Sequence, residues 1–243
     1  MQKTNPLNNS SRRKFLGTLT ASAATMSIAG LINPLQGLHA QKAKDVSNST
    51  GPDEWFNKIK GKHRIVFDAT RPHDVFPFAW PKVFLLTNAA TGTPEKDCGV
   101  VVVLRHDAIP YAFEDRLWAK YKFAEVFNAG EVSRSFQAAD AATAASFRNP
   151  LWKPKKGDYK LPGFGDVQIG INELQASGVM FCVCGAAMTV YSAAVAQGMN
   201  LPHEEVLNDW KAGLLPGIEV VPSGVWAVGR AQEHGCAYCF AGA

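Results

Sequence analysis

Short apolar runs alternate with helical segments from His63 to the end of the chain. Arg64–Ala69 has the composition of a buried strand, and Cys98–Leu104 is apolar without interruption, as is typical of strands covered on both faces of a sheet. Pro77–Ala90, between them, has helical composition, and we expect its Pro81 to be tolerated only in the first turn. The pattern predicts a repeated strand–helix unit.

The same alternation continues in the rest of the chain. Glu114–Asn128 is a further helical stretch, and the short apolar runs Val179–Val183, Ile218–Val221 and Cys236–Phe240 complete a set of five strands. Four more helices are predicted among them, over Val167–Ala176, Ala186–Gln197, His203–Ala212 and Ser223–Glu233. This order predicts an α/β fold, a three-layer sandwich around a mostly parallel five-stranded sheet.

Two stretches interrupt the regular pattern. Residues 41–62 are polar and are interpreted as a linker that ends in a short helix over Asp53–Lys60. Residues 130–165 are rich first in alanine and then in lysine, glycine and proline, and we interpret them as an insertion that forms a lid or an oligomer contact. We expect a single domain over residues 63–243, because about 200 residues bury one sizeable core.

Residues 1–40 have the features of a twin-arginine export signal. Ser11–Leu16 contains two adjacent arginines, a weakly apolar run follows, and Leu38–Ala40 offers a small-residue cleavage site. The run is too short and too weakly apolar to span a bilayer comfortably. We therefore expect a periplasmic protein that is exported folded and is not bound to the membrane after cleavage.

The export signal also holds the excess positive charge of the chain. Lys3, Arg12, Arg13 and Lys14 account for the whole formal net charge of +4, so the remaining residues carry equal numbers of acidic and basic groups. A neutral chain gives no electrostatic reason to expect nucleic acid or a membrane surface as a partner.

The stretch of greatest chemical interest is Ser177–Met188, where an apolar strand ends at Cys184 and a helix begins. A thiol at a helix N-terminus lies near free backbone N–H groups and the positive end of the helix dipole, and both favour the thiolate. The alternative is that Cys182 and Cys184 are small residues of the core. Cys182 should lie deeper on the same face of the strand, so we favour packing for it over a secondary place in a site.

Charged and polar side chains follow the first two strands. Arg71 and His73 come after the first strand, and Arg105 and His106 come after the second. Because the carboxyl ends of parallel strands meet at one edge, we expect these residues around the same crevice as Cys184. His106 would act as the base or the electrostatic partner of the thiol, and Arg105 would hold an anionic sulfur species. Arg71 and His73 are secondary candidates.

A metal centre is the weaker interpretation of the same residues. Two histidines and one or two cysteines would suit zinc or copper, but no paired ligand motif supports this, and we expect neither a metal nor an organic cofactor. The five cysteines, all beyond the signal, are odd in number, so at least one thiol is unpaired or paired between chains. Cys236 and Cys239 form a C-x-x-C motif, but residues three apart on a strand point to opposite faces, which favours a structural role.

Two segments resemble a known family. Gly178–Ala187, with its strand ending in Cys-Gly-Ala-Ala, and Leu214–Val225, with its Leu-Leu-Pro-Gly and Val-Val-Pro-Ser-Gly-Val pattern, are similar to the DsrE/DsrF-like family and in particular to its exported members. The resemblance implies a flavodoxin-like α/β fold and assembly into trimers or hexamers. It also implies relay of sulfane sulfur as a persulfide on one cysteine, which aligns with Cys184. The cytoplasmic carriers of this family lack an export signal and the insertion at 130–165.

These observations predict a periplasmic sulfur-handling protein, a persulfide carrier or a sulfurtransferase-like enzyme, whose reactive group is Cys184. Its partners would be a protein or a small compound that donates or accepts sulfur. The alternatives are a non-catalytic module that binds a soft metal or a small ligand at the same edge, and an oligomeric scaffold without chemistry.

Overall fold

The computed structural model describes residues 51, 53–129, 147–161 and 165–242. The predicted export signal, the polar residues up to Thr50 and the first half of the predicted insertion lie outside the described residues, so these interpretations stay predictions. No helix in the described ranges is long and apolar enough to cross a membrane.

The core of the fold is an all-parallel sheet of five strands, which confirms the predicted α/β architecture. Its strands are β1 (His63–Ala69), β2 (Cys98–Leu104), β5 (Met180–Cys184), β6 (Ile218–Val221) and β7 (Ala237–Phe240). Their order across the sheet is β6-β5-β2-β1-β7. A separate antiparallel pair joins β3 (Lys160–Leu161) to β4 (Gly165–Asp166). Every residue of β2 is buried, as its continuous apolar sequence predicts for a central strand.

Helices lie on both sides of this sheet. In chain order they are α1 (Phe76–Ala90), α2 (Asp115–Tyr121), α3 (Phe123–Val126), α4 (Ile171–Ala176), α5 (Gly185–Met199), α6 (His203–Ala212) and α7 (Gly224–Glu233). In the described residues, 3-10 helices supplement them at η1 (Glu54–Lys58), η2 (Glu95–Asp97) and η3 (His106–Ala112). The result is a three-layer sandwich of the flavodoxin-like type.

The two faces of the sheet have separate cores. The larger one packs α1, α4, α5, α6 and η3 against one face, and the smaller one packs α7 and η1 against the other. The connections from β1 to β2, β5 and β6 all step in the same direction across the sheet, whereas the connection from β6 to β7 returns past β1. Right-handed crossovers in opposite directions place their helices on opposite faces, and α7 is therefore the one long helix on its side among the described residues.

Three helix predictions need correction. Pro81 lies in the second turn of α1, not the first; it is buried in the core, and tertiary packing overrides its local cost. The predicted helix Glu114–Asn128 is broken at Lys122, whose backbone adopts the left-handed conformation with φ 53°. Only Ile171–Ala176 of the predicted Val167–Ala176 is helical.

Residues 147–161 of the predicted insertion contribute side chains to the core. Leu151 and Tyr159 are almost completely buried. Asn149 is fully buried, and its amide Nδ2 donates to the carbonyls of Tyr111 and Phe113 at 2.8 and 2.9 Å. Its Oδ1 accepts from the N–H of Leu151 at 3.0 Å. One side chain thus satisfies three buried backbone groups and ties this segment to η3.

We predict that Asn149→Ala lowers the free energy of unfolding by about 3 kcal/mol or more, because it leaves three buried backbone groups without partners. Asn172→Ala is the matched control, since Asn172 is only partly buried and its Oδ1 accepts a single bond, from the N–H of Lys153 at 2.9 Å; we expect about 1 kcal/mol there. Chemical denaturation of both variants measures the difference, and equal losses would contradict the assignment.

A second anchor joins α2 to α6 through Asp209. Its carboxylate accepts hydrogen bonds from Arg116, from Lys120 at 2.8 Å and from Tyr121 at 2.6 Å. Burial alone would raise the pKa of Asp209, but these three donors together hold it well below its ordinary value.

The low pKa of Asp209 predicts a pH-dependent contribution to stability. A carboxyl group whose folded pKa is depressed stabilises the fold above its unfolded pKa, about 3.9, and that stabilisation is lost as the pH falls toward the folded pKa. We therefore expect Asp209→Asn to be less stable than the native protein at pH 7 and this deficit to shrink below about pH 4. Urea denaturation at pH 7 and pH 3 tests this; a deficit that is constant with pH would refute it.

Candidate functional site

Cys184 lies where the predicted strand–helix junction places it, as the last residue of β5 and the N-cap of α5. Its Sγ accepts a hydrogen bond from the backbone N–H of Ala187 at 3.3 Å, and the residue is 7 % exposed. The sulfur therefore receives one of the free N–H groups of the helix directly and lies just beneath the surface. An N–H donor at a helix N-terminus interacts more favourably with a negatively charged group than with a neutral one.

Two helices diverge beside this cysteine. The chain leaving β5 enters α5 on one face of the sheet, and the chain leaving β6 enters α7 on the opposite face. In open parallel sheets, such a reversal creates a crevice at the carboxyl ends of the two strands. The N–H of Ala186 donates to the carbonyl of Pro222 at 3.2 Å, so the chain segments that leave β5 and β6 are in contact. Val220 of β6 and Val225 at the start of α7 are 40 % and 66 % exposed, so both segments present an apolar side chain to the surface.

Arg105 directly follows β2, the strand next to the one that ends in Cys184. Leu104 of β2 pairs with Val183 of β5, so Arg105 follows β2 at the level of the cysteine. Its Nε and Nη2 donate to the two carboxylate oxygens of Asp68 at 2.6 and 2.8 Å. This ion pair raises the pKa of Arg105 despite partial burial, and the nearby Tyr238 and Cys184 contribute to the rise.

Asp68 is a buried carboxylate with three donors. Only 2 % of the residue is exposed, and the hydroxyl of Tyr238 on β7 donates to its Oδ2 at 2.9 Å, in addition to the two bonds from Arg105. Tyr238 itself is 48 % exposed. Cys184, Arg105, Asp68 and Tyr238 thus come from β5, β2, β1 and β7, four strands that are consecutive in the sheet. We call these four residues the edge network.

Gly224, the first residue of α7, holds the Arg105 side chain from a third side. A Cβ atom on this glycine would lie 2.7 Å from Cδ of Arg105 and closer still to its Cβ. The aliphatic part of Arg105 therefore runs directly against the backbone at the start of α7, and only glycine leaves room for it.

The ring of His106 packs against Tyr191 of α5. Its backbone has φ 52°, its Nδ1 lies 3.2 Å from Oδ1 of Asp107, and its ring packs edge-on against Tyr191 with the ring centroids 5.8 Å apart. Tyr191 donates its hydroxyl to the same Asp107 oxygen. Among the hydrogen bonds and ion pairs of the described residues, none joins His106 to Cys184, and its role as the base of the thiol stays a prediction.

Arg71 and His73, the two candidate residues that follow β1, are not part of the edge network. Arg71 is exposed. The ring of His73 packs against Phe76 and Trp80 of α1, with centroid distances of 5.1 and 6.1 Å. Its Nδ1 is buried without a hydrogen-bond partner. No hydrogen bond in the described part of the chain connects either residue to Cys184.

The other cysteines are packing residues. Cys182 is fully buried, and burial raises the pKa of its thiol well above the ordinary value. It packs in the core on the α7 side, whereas Cys184 packs in the opposite core, so the prediction that the two share one face of the strand is wrong. Cys236 packs in the core on the α7 side and Cys239 against the opposite core, so the C-x-x-C motif spans two faces as predicted. Burial raises the pKa of Cys236 to about 11. All five cysteines are free, including Cys98.

Sequence reasoning assigned no role to three residues of this site, Asp68, Tyr238 and Gly224. The signal for Asp68 was available, because a carboxylate within a buried strand needs a partner. The described residues contain no group of three or more His, Cys, Asp or Glu side chains that is arranged to hold a metal ion.

Comparisons with known proteins add little to this geometry. No family model matches the chain, and no curated protein matches it significantly. Among solved structures, the chain is similar to a protein of unknown function from Methanobacterium thermoautotrophicum, with 16% sequence identity over 74% of this chain and 99% of that one and a TM-score of 0.37. The fold assignment rests on the strand order and register, and this similarity assigns no activity.

We predict that Gly224→Ala lowers the free energy of unfolding by about 1–3 kcal/mol, because the added methyl group overlaps Arg105. Gly229→Ala is the matched control in the same helix, where an added Cβ has no atom within 4 Å. There the better helix propensity of alanine should raise stability by up to about 1 kcal/mol. Thermal and chemical denaturation of the two variants measure the contrast; a stabilising Gly224→Ala would show that Arg105 is not held against α7.

Proposed function

We propose that this protein handles sulfane sulfur in the periplasm, as a persulfide carrier or a sulfurtransferase-like enzyme that uses Cys184. The observation that carries the proposal is the position of the Cys184 sulfur, which accepts the N–H of Ala187 at the start of α5, with Arg105 directly after the neighbouring strand β2. The resemblance of Gly178–Ala187 and Leu214–Val225 to the DsrE/DsrF-like family supports it.

The chemistry requires no redox cofactor. The Cys184 thiolate attacks the outer sulfur of a donor persulfide, a bond forms between Sγ and that sulfur, and the sulfur–sulfur bond of the donor breaks. The donor leaves as a thiolate, and Cys184 carries the persulfide with its proton. Transfer to an acceptor thiolate reverses these steps. The N–H of Ala187 and the positive charge of Arg105 would stabilise the negative sulfur in both directions.

Three further features belong to the same proposal. Export of the folded protein by the twin-arginine route would bring it to the periplasm, where the sulfur donor and acceptor would be a protein or a small sulfur compound. Assembly into a homo-oligomer, a trimer or a hexamer, is implied by the family resemblance. The exposed Val220 and Val225 beside the crevice would suit contact with a partner that presents its own sulfur there.

The second candidate is a non-catalytic module that binds a soft metal or a small ligand at this edge. The observation in its favour is the presence of two thiols, Cys182 and Cys184, at the end of one strand. A fully buried Cys182 and the lack of a three-ligand cluster among the described residues make a metal the weaker choice.

The test is incubation of the purified protein with a low-molecular-weight persulfide, followed by intact-mass and peptide mass spectrometry without reducing agent. We expect a gain of one sulfur atom on the peptide that contains Cys184, which Cys184→Ser abolishes. Cys239→Ser is the matched control, because Cys239 is the most exposed of the five cysteines and lies on β7; its gain should equal that of the native protein.

An unchanged mass of the native protein would refute sulfur transfer. Metal in protein purified through its own export route, together with an unchanged mass, would favour the binding module. A Cys184→Ala variant that differs from the native protein only in stability would favour a scaffold without chemistry.

A further inference from the structure

Asp68 and Gly224 together fix the Arg105 side chain at three points, two hydrogen bonds and one backbone contact. Its guanidinium forms a two-point ion pair with Asp68, Asp68 is held in turn by the hydroxyl of Tyr238, and the aliphatic part of Arg105 lies against Gly224. Arginine side chains at a sheet edge usually extend into water. Here the side chain is 26 % exposed and stays beside the strand that ends in Cys184.

We propose that Asp68 and Tyr238 are positioning residues, which act on Cys184 through Arg105 by keeping its positive charge next to the thiol. The inference rests on the proposed role of Cys184 as the reactive sulfur. Neither Asp68 nor Tyr238 touches the thiol, and both lie on strands beyond Arg105 in the sheet.

The burial of Asp68 supports a positioning role over a purely stabilising one. The free energy of removing a carboxylate and a guanidinium from water is about as large as the free energy gained from their attraction. A protein with apolar residues of similar size in place of a buried ion pair is therefore often equally stable. A buried, two-point pair does, however, hold an arginine in one orientation. This orientation is what a cation beside a reactive thiolate requires.

A direct effect of the Asp68 charge and an effect through the position of Arg105 predict opposite changes in the thiolate of Cys184 when Asp68 is neutralised. If the Asp68 charge were all that mattered, Asp68→Asn would remove a negative charge near the thiol and make the thiolate more favourable. If Asp68 positions Arg105, the same change releases the guanidinium toward water, and the thiolate loses its cation. The direction of the effect therefore distinguishes the two cases.

The experiment is the rate of iodoacetamide alkylation of Cys184 as a function of pH, followed by peptide mass spectrometry on the full chain. We expect Arg105→Gln to slow the reaction about tenfold at pH 7, which corresponds to a shift of the pH–rate profile by about one unit. Asp68→Asn should slow it about threefold to tenfold and shift the profile in the same direction. Tyr238→Phe, which keeps the ion pair, should slow it about twofold.

The double variant decides whether Asp68 acts through Arg105. Asp68→Asn should have no further effect in the Arg105→Gln background, since interacting residues are not additive. Asp209→Asn is the matched control: it breaks another Asp–Arg pair, between α6 and α2, and should leave the Cys184 profile unchanged. Cys98, at the amino end of β2, reports general loosening of the fold in the same samples.

Faster or unchanged alkylation in Asp68→Asn, or additive slowing in the double variant, would overturn the inference. If Asp68→Asn fails to fold, Tyr238→Phe keeps the inference testable, because an unchanged profile in that variant counts against it. The alkylation experiment and the persulfide experiment can fail separately. If no persulfide forms on Cys184, sulfur transfer is refuted, even if Asp68 controls the alkylation profile. A persulfide that forms with normal kinetics in Asp68→Asn would refute only the positioning role.

Discussion

The parallel direction of all five strands is the constraint on which the rest of this structure depends. Parallel strands need crossover connections, and these connections cover both faces of the sheet with helices. They also bring every carboxyl end to the same edge. Because the last crossover returns in the opposite direction, α7 lies on the face opposite α5, and the two helices separate at the point where Cys184 ends its strand. The crevice is thus a consequence of strand order.

Two positively charged groups lie near the Cys184 sulfur. The first is the helix N-terminus, delivered directly by the N–H of Ala187. The second is Arg105, whose charge is partly balanced by Asp68. Because Asp68 balances part of its charge, Arg105 attracts anions less strongly than a free arginine would. The ion pair nevertheless stays in one place, and such a fixed pair does not have to reorganise when negative charge develops on the sulfur. Stabilisation without strong anion capture would suit the proposed persulfide on Cys184, which has to be both accepted and released.

The sequence predicted the elements of this site better than their contacts. The junction at Cys184 was predictable because a Gly turn, an apolar run and a helical segment follow one another locally, and Ile218–Val221 was predicted with its observed bounds. The partnership of Asp68, Arg105 and Tyr238 was not, because these residues are far apart in sequence and meet only through the order β2-β1-β7. The break at Lys122 has no local signal either, since a lysine rarely adopts positive φ.

The histidines show a different limit of sequence reasoning. Strand ends predict which residues approach one edge, but they do not predict where each side chain points. The left-handed backbone of His106 directs its ring to Tyr191 and Asp107, and His73 packs on the aromatic rings of α1. Topology brought both imidazoles to the correct end of the sheet, and local backbone conformation decided their contacts.

The most direct test of the central claim compares all five cysteines in one sample. Native protein is treated with a limiting amount of iodoacetamide at pH 7, and the extent of alkylation is measured for each cysteine by peptide mass spectrometry. If the thiol at the start of α5 is the reactive group, Cys184 is modified first, ahead of the more exposed Cys239. If Cys239 is modified first and Cys184 reacts as slowly as the fully buried Cys182, the account is contradicted.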